Sequence, residues 1–240
     1  LFKTIIDSPI IHGIISPGFI GVKVAFAENF TKRGEVRAIC VVYYRGEKVV
    51  DLWGGYRDQK TKSPWEKDTL VLVFSTTKGL APMTLVLAHS RGLLNYDERV
   101  SKYWPEVEFP SGSGIGLVRS IAKAYSILAT GNRVLGITRE TLYELTRPAV
   151  QPSFGSHDEV LHVETAFSLG FLKPCAALRF DSSSQAFGMN GTGGSVGFAD
   201  PGSQIGFAYA PNKMIFGFFG DARAKNLEKA VYKCVGRITA

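Results

Sequence analysis

Ser75 and Lys78 stand three residues apart in the stretch Ser75-Thr76-Thr77-Lys78. A serine hydroxyl attacks a carbonyl poorly until a base takes its proton, and a lysine amine that desolvation keeps neutral can be that base. The spacing serves this chemistry only on a helix, where residues i and i+3 share a face. The surroundings predict one. Leu70-Val71-Leu72-Val73-Phe74 reads as a short buried strand, and from Gly79 the apolar residues Leu80, Met83, Leu87 and Leu94 recur at helical spacing. Ser75 is therefore expected at a strand-to-helix junction, with Lys78 over its oxygen. Isolated, such a pair more often marks a first helical turn with a solvated lysine, so the rest of the chain has to decide.

The elements that must position the pair can be read in outline. Phe19, Val22, Phe26 and Phe30 are spaced for an amphipathic helix. Arg37–Tyr44 and Lys48–Trp53 form two strands around the turn Arg45-Gly46-Glu47. The Ser75 helix is expected to end near Gly92, followed to Trp104 by a loop and a short helical turn. A loop composition follows from Pro105 to Gly116, then a helix over Ile115–Leu128 and another that Thr138 can cap, running to Thr146. Strands are predicted at Val163–Phe171, Ala186–Met189, Ser195–Asp200, Ile205–Ala210 and Ile215–Phe219, and a last helix at Ala222–Ile238. The order of helix, strands, helices, strands and helix predicts an α+β arrangement. An antiparallel sheet carries the first and last helices on one face and the central helices on the other.

Composition narrows the function classes. The 240 residues are 45% hydrophobic and 20% charged, enough for a real core. No apolar run approaches the roughly 20 residues of a membrane span. Leu1–Ile20 is broken by Lys3, Asp7, Pro9, His12 and Pro17, so it reads as neither a span nor a signal peptide. The net charge is +7, but the 28 Lys and Arg are scattered among 21 acids, densest at Lys32-Arg33 and from Arg223 to Arg237. That pattern predicts a solvated face and no nucleic-acid partner. Cys40, Cys175 and Cys234 form no C-x-x-C pair, and the four histidines show no ligand spacing. No metal or disulfide framework is expected, and a reducing, intracellular compartment (cytoplasmic or mitochondrial) is favoured. Asn29-Phe30-Thr31 and Asn190-Gly191-Thr192 match the glycosylation sequon, read here as chance.

Four segments together resemble the serine β-lactamase-like superfamily, close to the class C β-lactamases and the esterases of that fold. They are Val49–Asp58, Phe74–Gly79 continuing through Leu87–Leu94, Val100–Glu106, and Phe187-Gly188-Met189-Asn190-Gly191-Thr192-Gly193-Gly194-Ser195 with Phe198–Pro201 after it. S-x-x-K is the nucleophile motif of penicillin-binding proteins and class A β-lactamases. The resemblance implies one β-lactamase-like domain over residues 1–240, with no cofactor. Ser75 would form an acyl-enzyme with a small ester, amide or lactam, and Lys78 would move the proton. Asn190, Gly191, Thr192 and Gly193 would line the substrate, with the N–H groups of Ser75 and Thr192 as the oxyanion hole. Homo-oligomerisation is left open.

Two departures from the family pattern stand out. The third motif begins with Met189 where relatives carry Lys or His, which points away from carboxylate-bearing lactams toward neutral esters or amides. The second motif, a tyrosine in a helical lobe, is not found: the chain runs from Glu108 almost directly to Pro110–Gly116, implying an absent segment near 108–110. Tyr125 and Tyr143 sit at core-type helical positions without the expected neighbours. The competing function is a catalytically impaired pseudoenzyme that serves as a binding or assembly module. A peptidoglycan-binding or transpeptidase-like protein fits the superfamily as well.

Overall fold

The structure is a computed structural model and describes residues 4–7, 11–58, 60–98, 102–103, 115–131, 133–175, 180, 182–215 and 220–239. β1 (Thr4–Asp7) and β2 (Ile11–Ile15) precede α1 (Ile20–Lys32), β3 (Arg37–Tyr44), β4 (Glu47–Asp58) and the short β5 (Ser63–Pro64). β6 (Val71–Leu72) leads through a 3-10 turn at Phe74–Thr76 into α2 (Thr77–Ser90). β7 (Ile115–Gly116), α3 (Val118–Ala129) and α4 (Arg139–Thr146) follow. Then come β8 (His157–Asp158), β9 (Val163–Glu164), β10 (Phe167–Ser168), β11 (Phe171–Leu172), β12 (Phe187–Asn190), β13 (Val196–Asp200), β14 (Ile205–Pro211) and α5 (Ala222–Thr239).

The main sheet runs β1-β2-β4-β3-β14-β13-β12-β11-β10, with β5 added to the end of β4, and these pairings are antiparallel. Strand residues alternate between its two faces. On β3, Ala38, Cys40 and Val42 join Val22 and Phe26 of α1 and Leu227 and Val231 of α5 in one core. Ile39 and Val41 join Ile121 and Tyr125 of α3 and Met83 and Val86 of α2 in the other. This is the predicted α+β layering. The α3 face is lined with small residues, and a Cβ on Gly206 would lie 2.3 Å from the Ser126 nitrogen, so α3 sits almost on the sheet backbone.

Several local expectations change. The apolar N-terminus contributes β1 and β2, whose Ile11, Gly13 and Ile15 alternate inward against β4. Leu70–Phe74 is not a fully buried strand. Leu70 and Leu72 are exposed while Val71 and Val73 are buried, and a left-handed Phe74 (φ 46°) ends the extended run. Val163–Phe171 breaks into β9, β10 and the start of β11, because Leu169 and Gly170 (φ 47° and 85°) reverse the chain. Ile115 and Gly116 pair with β6 before the helix begins at Val118. Thr138 caps α4 as expected, its hydroxyl accepting from the Thr141 nitrogen at 3.2 Å. Tyr143 is exposed on α4, whereas Tyr125 is a core residue. The predicted interruption near Glu108 and Phe109 and most of the strand predicted at Ile215–Phe219 lie outside the described residues.

Candidate active site

Ser75 is held at a tight junction. Phe74 carries a positive φ, which a bulky side chain adopts only when its surroundings hold it there. The Thr77 hydroxyl donates to the Phe74 carbonyl at 2.5 Å, and the Thr76 N–H to the Val73 carbonyl at 3.0 Å. One turn on, Lys78 Nζ donates to Ser75 Oγ at 3.0 Å, the geometry anticipated for a nucleophile and its base. Lys78 is half-buried, not fully buried as its role would suggest.

The glycine-rich turn between β12 and β13 packs directly on this junction. Ser195 Oγ donates to Val73 O at 2.9 Å and lies 3.0 Å from Thr76 Oγ1, which must then supply the proton of that second bond. A Cβ on Gly191 would fall 2.5 Å from Val73 O and 2.9 Å from Thr76 Oγ1, so only glycine lets the turn come this close. Thr192 and Gly193 line a cleft of about 250 Å³ whose other wall is Leu70, Leu72, Phe74 and Met214. Ser75 is not among the lining residues; its neighbour Phe74 is. Asn190 ends β12 half-buried, its Oδ1 without a hydrogen-bond partner among the described residues. Met189 does not line the cleft either: it is buried, with its Cβ 3.0 Å from where a Cβ on Gly79 would stand.

Behind the turn lies a buried ion cluster that sequence reasoning missed. Arg223 is 0% exposed, although it opens the stretch read as a solvated basic tail. It pairs with Glu35 (2.9 Å) and Asp221 (2.6 Å), and donates to the carbonyls of Gly193 (3.4 Å) and Lys213 (2.8 Å). Burial opposes its charge, but Asp221, Tyr209 and Glu35 outweigh that and keep the guanidinium protonated. Tyr209 donates to Glu35, and Asn29 donates to the Arg223 carbonyl at 3.0 Å. That buried contact leaves Asn29 unsuited to carry a sugar. Ser195 stood inside the glycine-rich motif, where a hydroxyl directly after two glycines was a usable signal. Nothing in the spacing of Glu35, Asp221 and Arg223 announced their cluster.

A sequence model of the β-lactamase family matches residues 25–119. The esterase/β-lactamase LipL of Mycobacterium tuberculosis is 37% identical over 95 residues, which is 40% of this chain and 22% of that protein. Among solved structures, a family VIII carboxylesterase superposes with a TM-score of 0.82 at 25% identity, covering 93% of this chain and 99% of the other. Residues 25–119 are similar to the β-lactamase family, and the described chain takes the fold of these proteins. EstA of Arthrobacter nitroguajacolicus (TM-score 0.78, 18% identity, all of both chains) and a penicillin-binding-protein homologue of Caulobacter crescentus (0.83, 21%, covering 93% and 99%) share the fold. The chain thus has the serine-hydrolase fold common to these esterases and penicillin-binding proteins. Among the described residues no helix is long and apolar enough to cross a membrane.

Proposed function

We propose that this chain is a cofactor-free serine hydrolase of small esters or amides. The observation that carries the reading is the 3.0 Å bond from Lys78 Nζ to Ser75 Oγ. Lys78, acting as the base, accepts the hydroxyl proton as Oγ bonds to the substrate carbonyl carbon. The N–H groups of Ser75 and Thr192 receive the developing oxyanion. The proton passes to the leaving group as its bond breaks, and an ester of Ser75 remains. Water then attacks that ester, giving one proton back to Ser75 and releasing the acid. The apolar wall of Leu70, Leu72 and Met214 suits an aliphatic acyl part. Similarity to proteins described as an esterase/β-lactamase and a carboxylesterase supports the same class.

A fluorophosphonate probe and a short-chain nitrophenyl ester test the reading. Ser75 is expected to be the labelled residue, and Ser75→Ala to lose both labelling and turnover. A second reading, a binding module without turnover, draws on the cleft beside Thr192, whose lining residues do not include Ser75. An unlabelled Ser75 together with no ester turnover would establish it in place of the first.

A further inference from the structure

The Gly191–Ser195 turn lies at the end of the sheet where β14 runs out. There the Asn212 N–H donates to the Arg37 carbonyl at 3.1 Å. Asn212 belongs to two walls: that of the cleft beside Thr192, and that of a wider groove of about 620 Å³. The groove is lined by Arg37, Arg57, Lys60 and Lys213, with Asp58 the acid among its described lining residues. Asp58 is engaged locally, accepting the Lys60 N–H at 2.8 Å. Arg37 Nη1 donates to the carbonyls of Tyr56 (3.2 Å) and Arg57, and Lys213 Nζ to the carbonyl of Gly34 (3.0 Å). The carbonyls hold the two side chains, and Asp58 offsets part of the Arg37 charge, which leaves the four cations in excess over one acid. Arg37, the Arg57/Lys60 pair and Lys213 are far apart in sequence and meet because β3, β4 and β14 have ends at the same edge.

An apolar cleft and a groove with excess positive charge that share Asn212 in their walls constrain what can lie along both. The geometry points to an ester whose acyl chain is aliphatic where it crosses the cleft and ends in a carboxylate seated among Arg37, Arg57, Lys60 and Lys213. This rests on the hydrolase reading above and narrows it to monoesters of dicarboxylic acids. The anion lies remote from the reacting carbonyl, so the absence of a charged residue at position 189 does not oppose it. In the open groove a carboxylate keeps much of its hydration, and it relieves the mutual repulsion of the cations.

The test compares nitrophenyl monoesters of adipate and suberate with the hexanoate and octanoate esters, which match them in chain length. The kcat/KM ratio of acidic to neutral ester is expected to exceed one and to fall with added salt. In Arg57→Glu/Lys60→Glu the ratio should drop by roughly three- to tenfold, the range of a few solvent-screened ion pairs. Lys229→Glu/Lys233→Glu, the same charge change on exposed positions of α5, should leave it near the wild-type value. A wild-type ratio of one or less, or an equal drop in both double variants, overturns the proposal. If no ester is turned over, the hydrolase reading fails separately, and calorimetric titration with adipate judges the groove. Binding lost in Arg57→Glu/Lys60→Glu upholds it, whereas no binding, or binding equal in the two proteins, overturns it.

Discussion

Ser195 and Val73 are 122 positions apart in sequence, yet the serine hydroxyl donates to the valine carbonyl at 2.9 Å, two residues before Ser75. One bond thereby fixes the distance between the strand pair β12–β13 and the segment that presents Ser75. Thr76 completes the arrangement from the other side, 3.0 Å from the same hydroxyl. The separation of Ser75 from Thr192 is set by this contact more than by either segment alone.

Removing it should be felt in both stability and rate. Ser195→Ala removes the second donor to the Val73 carbonyl and leaves the buried Thr76 hydroxyl short of a partner, a loss of about 1–3 kcal/mol. Urea denaturation should show the lower midpoint, and kcat for a nitrophenyl ester should fall while Ser75 remains labelled by a fluorophosphonate. An unchanged midpoint and unchanged kcat would mean the turn is held elsewhere.

Lys78→Met keeps the volume of the side chain and removes the base. Turnover is expected to fall by about a hundredfold or more, the range of general-base catalysis, with little change in the denaturation midpoint because Lys78 is half-buried. Retention of most esterase activity would show that another group takes the serine proton.

Gly79 is the point where α2 touches α3. A Cβ there would stand 2.0 Å from the Tyr125 hydroxyl and 3.0 Å from Met189 Cβ. Gly79→Ala should therefore destabilise by about 1–3 kcal/mol through overpacking. The Tyr125 hydroxyl is buried without a hydrogen-bond partner among the described residues. Tyr125→Phe is accordingly expected to be neutral or stabilising alone, and to recover part of the loss in the double variant. Thermal melts of the three proteins check this; additive losses would contradict it.

Lys173 gives a pH dependence of known sign. It is 1% exposed, donates to the carbonyls of Leu145 (2.7 Å) and Gln185 (3.2 Å), and burial pulls its amine down to about 8 from 10.5. Below the lower value the amine is charged in the folded and unfolded chain, and the folded chain bears the desolvation penalty. Between the two values the unfolded chain binds more protons, so this residue adds stability as pH rises, up to about 3 kcal/mol. Denaturation of wild type and Lys173→Met on either side of that window measures the difference. A wild-type protein no steeper in pH than the variant would refute it.

The Ser75–Lys78 pair and the layering around it were legible because each follows from local periodicity. A serine one turn from a lysine, and helices and strands that repeat every 3.6 or two residues, announce themselves in short windows. Phe74 was less legible, since its left-handed backbone is imposed by what surrounds it and leaves no mark on the residues before it. The β1–β2 hairpin was hidden because an apolar run broken by Pro and charge says little until its partner strand is known. Met189 occupied a motif position, but whether its side chain met the cleft or the core depended on how close α2 came, which Gly79 decides. Arg223 with its partner Glu35, and Arg37 with Lys213, stand furthest from legibility, because tertiary folding alone joins them.

Arg223 ties the catalytic turn, through Gly193, to Glu35 just after α1 and to its own place in α5. A growing polypeptide has Ser75 and Lys78 outside the ribosome long before residue 223 is made, and during that interval the carbonyl of Gly193 has no anchor. Long-range contacts of this kind form late. Synthesis should therefore proceed with Ser75 and Lys78 present but the glycine-rich wall beside them unassembled until the last helix has docked.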